Sequence, residues 1–218
     1  MSRAGEAGVV RGCCLGVILL VVILGLSGFV ADRALAAPAL GAPPAGPSHG
    51  TNETEIAVTL AGQIAAELIT DGGQGVVTLS EQDLTVLAVA NNPHPDEYHD
   101  IEVRVRSGLL VASARIDAGP FSPTVVARIS ITLQPGPHGP VIAAQVPELD
   151  VGMLGLPGFV DAGLVSQIDT ALSLDRLFAI DPRLSPLRDD IECVAVVPGG
   201  VSVGVHAPGF PAVGSVCG

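Results

Sequence analysis

Residues 12–31, GCCLGVILLVVILGLSGFVA, carry neither a charge nor a proline, and this run decides the surroundings of everything after it. At about 1.5 Å of helical rise per residue it reaches about 30 Å, the thickness of a bilayer's hydrocarbon core. The competing reading is a secretory signal peptide, for which Ala34-Leu35-Ala36 before Ala37 offers an A-x-A cleavage site. The run is longer than the roughly 7–15 apolar residues of a signal sequence, which favours an uncleaved anchor. Arg3 and Arg11 precede it, so the positive-inside rule places residues 1–11 in the cytoplasm and the rest of the chain outside, with Arg33 weakening the asymmetry. Either reading exports the bulk of the chain.

The exported part is long enough for one domain with its own core. Apolar residues make up 48% of the chain and charged residues 15%, far from a disordered profile. The basic residues are all arginine, a composition like that of a GC-rich bacterial genome. A net charge of −12 repels phosphate backbones and anionic headgroups, which argues against nucleic-acid partners and against electrostatic docking on membranes. Aromatic residues are only 3% of the chain, too few for a base-stacking platform.

Cys13 and Cys14 sit at the cytoplasmic mouth of the apolar run and read as small hydrophobes. Cys193 and Cys217 lie in the exported part, where an oxidising compartment favours a bridge. Such a bridge contributes about 3 kcal/mol in the chain-entropy account.

Residues 32–50, rich in Ala, Pro and Gly and without a period, read as a tether of up to roughly 60 Å when extended. The domain then occupies 51–218. Asn52 with Glu55 three residues on opens a helix whose stripe is Ile56, Leu60, Ile64 and Leu68, ending at Asp71-Gly72-Gly73. A short strand over Val76–Leu79 leads to a second helix opened by Ser80 and Asp83. Period-two alternation predicts three hairpins: 101–106 with 110–116 around Ser107-Gly108, 125–133 with 141–151, and 191–197 with 201–205. Between the last two, Val160, Leu164, Ile168 and Leu172 mark a third amphipathic helix. The sum is an α+β domain, a curved antiparallel sheet packed on about three helices.

Chemistry-bearing patterns are sparse. Gly200-Val201-Ser202-Val203-Gly204 matches G-x-S-x-G as a string, but its serine lies inside a strand, and no acid follows it in the chain. Gly72-Gly73-Gln74-Gly75 lacks the preceding strand that a dinucleotide fold requires. The acid pairs Asp189–Asp190 and Glu148–Asp150 sit beside strand ends or turns, where exposed acids are ordinary. His94, His99 and Asp100 in an acidic loop form the one donor set suited to a divalent metal, although a solvated loop has the same composition. We therefore expect no enzyme and no cofactor.

The segments Val77–Leu84, VTLSEQDL, and Val151–Pro157, VGMLGLP, resemble the "vtlteaeL" and "v.vG.l.lP" segments of the LmeA-like and YpmS-like membrane-anchored bacterial proteins. The likeness runs from about Glu53 to Ser173. The C-terminal hairpin with its cysteines has no counterpart that we can place. What the resemblance implies is a domain similar to tubular lipid-binding domains, with an apolar groove for acyl chains. Its lining here would come from Ile64, Leu68, Leu110, Ala112, Ala127, Ile129, Val160, Leu164 and Ile168. The expectation is an anchored lipid-handling domain without catalysis. The alternative is an envelope scaffold or interaction module whose core is fully packed.

Overall fold

The computed structural model describes residues 23, 25–36, 38–117, 121–136, 139–155, 184–207 and 217. Helix α1, Glu53–Thr70, begins where Asn52, in extended conformation, accepts a hydrogen bond from the Glu55 amide. Glu55 returns the favour one residue earlier, its Oε2 accepting from the Thr51 N–H and Oγ1. The Glu55 amide is one of the groups a helix start leaves unpaired. The helix stops at Asp71, where the Gly73 amide reaches back to the Leu68 carbonyl at 3.0 Å, the 6→1 bond of a Schellman ending. Ile56, Ala57, Leu60, Ala61 and Ile64 form the buried face.

Strand β1, Gln74–Ser80, runs directly into helix α2, Glu81–Ala90. The junction is a reciprocal cap: Ser80 Oγ accepts from the Asp83 amide, and Asp83 accepts from the Ser80 amide. The remaining strands are β2 Tyr98–Arg106, β3 Leu109–Ile116, β4 Thr124–Gly136, β5 Gly139–Val151, β6 Leu154–Gly155, β7 Ile191–Val197 and β8 Gly200–His206. A 3-10 helix at Ser185–Asp190 precedes β7.

The expected hairpins form, but they do not join into one curved sheet. The strands divide into a three-stranded sheet, β1-β8-β7, and a five-stranded sheet, β2-β3-β4-β5-β6, all pairs antiparallel. The cause is β1, which pairs with β8 near the other end of the chain and not with a sequence neighbour. The β2–β3 turn places Ser107 at φ 52° and Gly108 at φ 77°, the two positive values of a type I′ turn, whose twist matches that of the strands. The two sheets and helices α1 and α2 share one core containing Leu60, Leu79, Leu84, Val103, Leu110, Ile129, Leu149 and Val203.

The free edge of β2 is closed by α2. Glu81 Oε1 accepts from the Val105 amide and Thr85 Oγ1 from the Val103 amide, at 2.7 and 2.9 Å. On the outer face of the large sheet, Arg128 bridges Asp150 and Glu148 at 2.7 and 3.0 Å. The hydrogen bond to Asp150 is the main cause holding its guanidinium above the usual arginine range.

The stretch read as a tether is laid against the domain at two places. Met153 donates its amide to the Arg33 carbonyl, and Gly152, at φ 60°, lies so close to Ala34 that a Cβ would stand 2.2 Å from the Ala34 carbonyl oxygen. Further on, Arg106 donates to the Ala42 carbonyl, the Ala45 amide to Glu81 Oε2 and the His49 amide to Asp83 Oδ1. Residues 32–50 are thus a strap. Composition missed this because its contacts run through backbone groups, which every residue type supplies.

Residues 25–35 are helical, with Leu26, Phe29 and Val30 exposed. Most of the anchor expected at 12–31 lies outside the described residues. Among the described residues no helix is long and apolar enough to cross a membrane. The third helix expected around Val160–Leu172 also lies outside them.

Candidate functional site

The side chains expected to line an acyl groove fall into three groups. Ile64, Leu110, Ala127 and Ile129 are enclosed in the common core, none more than 2% exposed. Leu68 and Ala112 pack on its margin. Val160, Leu164 and Ile168 lie outside the described residues. Where α1 meets the sheets, these side chains are therefore shut off from solvent.

A different apolar surface begins where that core ends. β3 pairs with β4 only as far as Leu110 opposite Ile129, so beyond Ser130 strands β4 and β5 continue as a two-stranded arm. A register shift between Arg128 and Ser130 restores the alternation, so that Ile131 and Leu133 share a face with Ala144 and Ile142, their cross-strand partners. These four, with Val146, are only partly buried, as are Val194 and Val196 on the core-facing side of β7. From Ser130 to Gly136 the arm runs about 20 Å at about 3.3 Å per residue. The apolar row of the core thus continues outward as a half-covered strip. Period two in β4 and β5 was the available signal for it. What the sequence did not say is where β3 stops covering its neighbour.

A polar hollow of about 510 Å³ opens at the start of α1, lined by His49, Asn52, Thr54, Glu55, Val58 and Thr59. Behind it Asp83 is 0% exposed and accepts from Ser80 N, Ser80 Oγ, His49 N and, at 2.6 Å, His49 Nδ1. A carboxylate bonded to one ring nitrogen fixes an imidazole in place, the arrangement a general base uses. Here the same contact holds the strap, because Thr59 Oγ1 also donates to the His49 carbonyl. At the mouth, hydrogen bonds from the Thr51 backbone and side chain hold the Glu55 carboxyl below its ordinary range.

The loop residues singled out as metal donors pair separately. His99 Nε2 faces Asp117 at 3.2 Å, Asp100 binds Arg115 at 2.7 Å, and the His94 ring sits near Tyr98. Burial, and then the charge of Glu97, push the Tyr98 phenol above its usual value. Among the described residues no group of three or more His, Cys, Asp or Glu side chains is placed to hold a metal. Ser202 is a buried strand residue whose Oγ lies 2.8 Å from Thr78 Oγ1. Cys193 and Cys217 are bonded, with their Cα atoms 6.0 Å apart.

No family model, no curated protein and no solved structure matches this chain.

Proposed function

We propose that this chain is a single-pass membrane protein, its N-terminus cytoplasmic, whose extracytoplasmic domain takes up acyl chains of envelope lipids along the β4–β5 arm. It performs no covalent chemistry. The observation that carries this reading is the strip of Ile131, Leu133, Ile142, Ala144 and Val146, which with Val194 and Val196 is apolar but only partly buried at the margin of the core. Covering such surface gains about 25 cal/mol per Å², and a flexible hydrocarbon chain fits a strip that has no polar groups to satisfy. The strap supports the reading as well. Residues that follow the apolar run are bonded to the turn that ends β5, so the strand bearing half the strip runs from the open arm back toward the exit from the bilayer. The resemblance of Val77–Leu84 and Val151–Pro157 to the LmeA-like and YpmS-like proteins points the same way.

A second reading rests on the filled core around Ile64, Leu110 and Ile129, which suits a scaffold that offers the arm to a protein partner. The test is photo-crosslinking of the full chain in its native membrane with a diazirine fatty acid. Labelling on β4, β5 or β7 that falls in the Leu133→Glu variant is expected. Absence of lipid label, together with one stoichiometric protein cross-linked through the arm, would replace the first reading with the second.

A further inference from the structure

At the end of the small sheet furthest from the β7–β8 turn, β7 carries a bulge between Ile191 and Cys193. A bulge re-aims a side chain, and the residue re-aimed is Glu192. Its side chain is 8% exposed, and both carboxylate oxygens are shut off from solvent without a hydrogen bond. His206 Nδ1, 3.3 Å from Glu192 Oε1, is equally enclosed and unbonded. Gln74, the register partner of His206 on β1, has a buried and unbonded side-chain nitrogen. Strands β1, β8 and β7 therefore each carry an enclosed polar atom to this end of the sheet, and Glu192 and His206 approach as an ion pair at 3.3 Å that lacks hydrogen-bond geometry. Buried polar groups are almost always satisfied by something, and a buried carboxylate calls for a cation.

We propose that Glu192 and His206 Nδ1 bind a divalent metal ion of zinc type, with the side-chain amide oxygen of Gln74 as a third donor and water completing the shell. Two ligands on a tetrahedral zinc, each about 2.1 Å from the ion, stand about 3.4 Å apart, which is the separation found between Oε1 and Nδ1. The other ring nitrogen supports the assignment. His206 Nε2 faces Asp190 Oδ1 at 3.5 Å, and a metal-bound imidazole commonly gives its second N–H to a carboxylate that fixes the tautomer. Asp190 thus stands behind the ligand and does not share the ion, which is why three acidic or imidazole side chains do not converge here. The Gln74 amide offers its oxygen once its O and N are exchanged, an assignment that hydrogen-bond partners decide. Cys193, next to Glu192 and bonded to Cys217, ties the end of the chain beside the site.

The experiment uses the full chain in detergent, stripped with EDTA and reloaded near pH 7.5, with bound metal counted by mass spectrometry and Co²⁺ followed by its visible absorption. The expected result is one Zn²⁺ per chain and a four-coordinate Co²⁺ spectrum. Both are lost in Glu192→Gln and in His206→Gln, and affinity falls about 10- to 100-fold in Asp190→Asn. Far-UV circular dichroism and an intact Cys193–Cys217 bond show whether each variant is folded. His99→Ala leaves uptake unchanged, which separates this site from the 94–100 loop. No metal uptake by the wild type, uptake surviving in a folded Glu192→Gln variant, or uptake lost with His99 overturns the proposal. So does a Glu192→Gln variant that is more heat-stable than a metal-indifferent wild type, since the cluster would then be holding a proton.

Discussion

The two margins of the large sheet are built on opposite rules. At β2, the edge that would attract another strand is sealed: α2 lies along it, Thr85 and Glu81 take its amides, and Val103 is fully buried beneath. At the β4–β5 arm the same alternation of apolar residues continues, yet its side chains stay half exposed after β3 has ended. The sealed margin uses its apolar residues for stability, and the open one keeps them available. An exposed apolar row is a cost to a folded protein unless something covers it, and this asymmetry is what the proposed acyl-binding role rests on.

Paired truncations test this contrast most directly. Leu110→Ala, inside the sealed region, should cost about 4 kcal/mol in denaturant unfolding of the full chain, whereas Leu133→Ala should cost about 1 kcal/mol. Equal costs would mean that the arm is as tightly packed as the core. Asp83→Ala removes the carboxylate half of the reciprocal α2 cap and leaves the His49 ring and the His49 amide without their acceptor. A loss of about 3 kcal/mol is expected, together with fast hydrogen exchange at the amide of His49. Protection that persists there would show that the strap does not depend on this carboxylate.

Two smaller effects bear on pH. The Glu55 carboxyl is held below its ordinary range in the folded state, so its contribution is present above the unfolded value and lost as pH falls through the folded one. Circular dichroism should show the start of α1 loosening on the acid side in the wild type and not in Glu55→Gln. At the other extreme, the chain has one tyrosine and no tryptophan, which makes absorbance near 295 nm a clean probe of Tyr98. Burial raises its phenol, so the midpoint should lie above that of a free tyrosine, about 10. The folded state is then favoured below the unfolded value and loses stability as pH climbs toward the folded one. A midpoint at the free value would place Tyr98 in solvent.

Much of the fold was legible locally. The caps at Asn52 and Ser80, the Ser107-Gly108 turn and the period-two strands each have a short-range physical cause that is written in adjacent residues. The division into two sheets was not, because nothing in Val76–Leu79 announces a partner more than a hundred positions away. The candidate site suffered from the same gap. Ile64, Leu110 and Ile129 look like any apolar residues of an amphipathic pattern, and only the extent of β3 separates filled core from open strip. His49 was hidden in a proline-rich stretch, and Glu192 by a bulge that alternation alone does not reveal.

The strap has a mechanical meaning. A flexible leash would let the domain tumble and would absorb any pull on the residues before it as slack. Fastening at Met153 and again at Glu81 and Asp83 removes that slack. A load on the apolar run is then delivered first to the turn that follows β5 and next to the first turn of α2. The helix over 25–35 is therefore held at a set heading relative to the domain, and a pull on it is felt inside the fold.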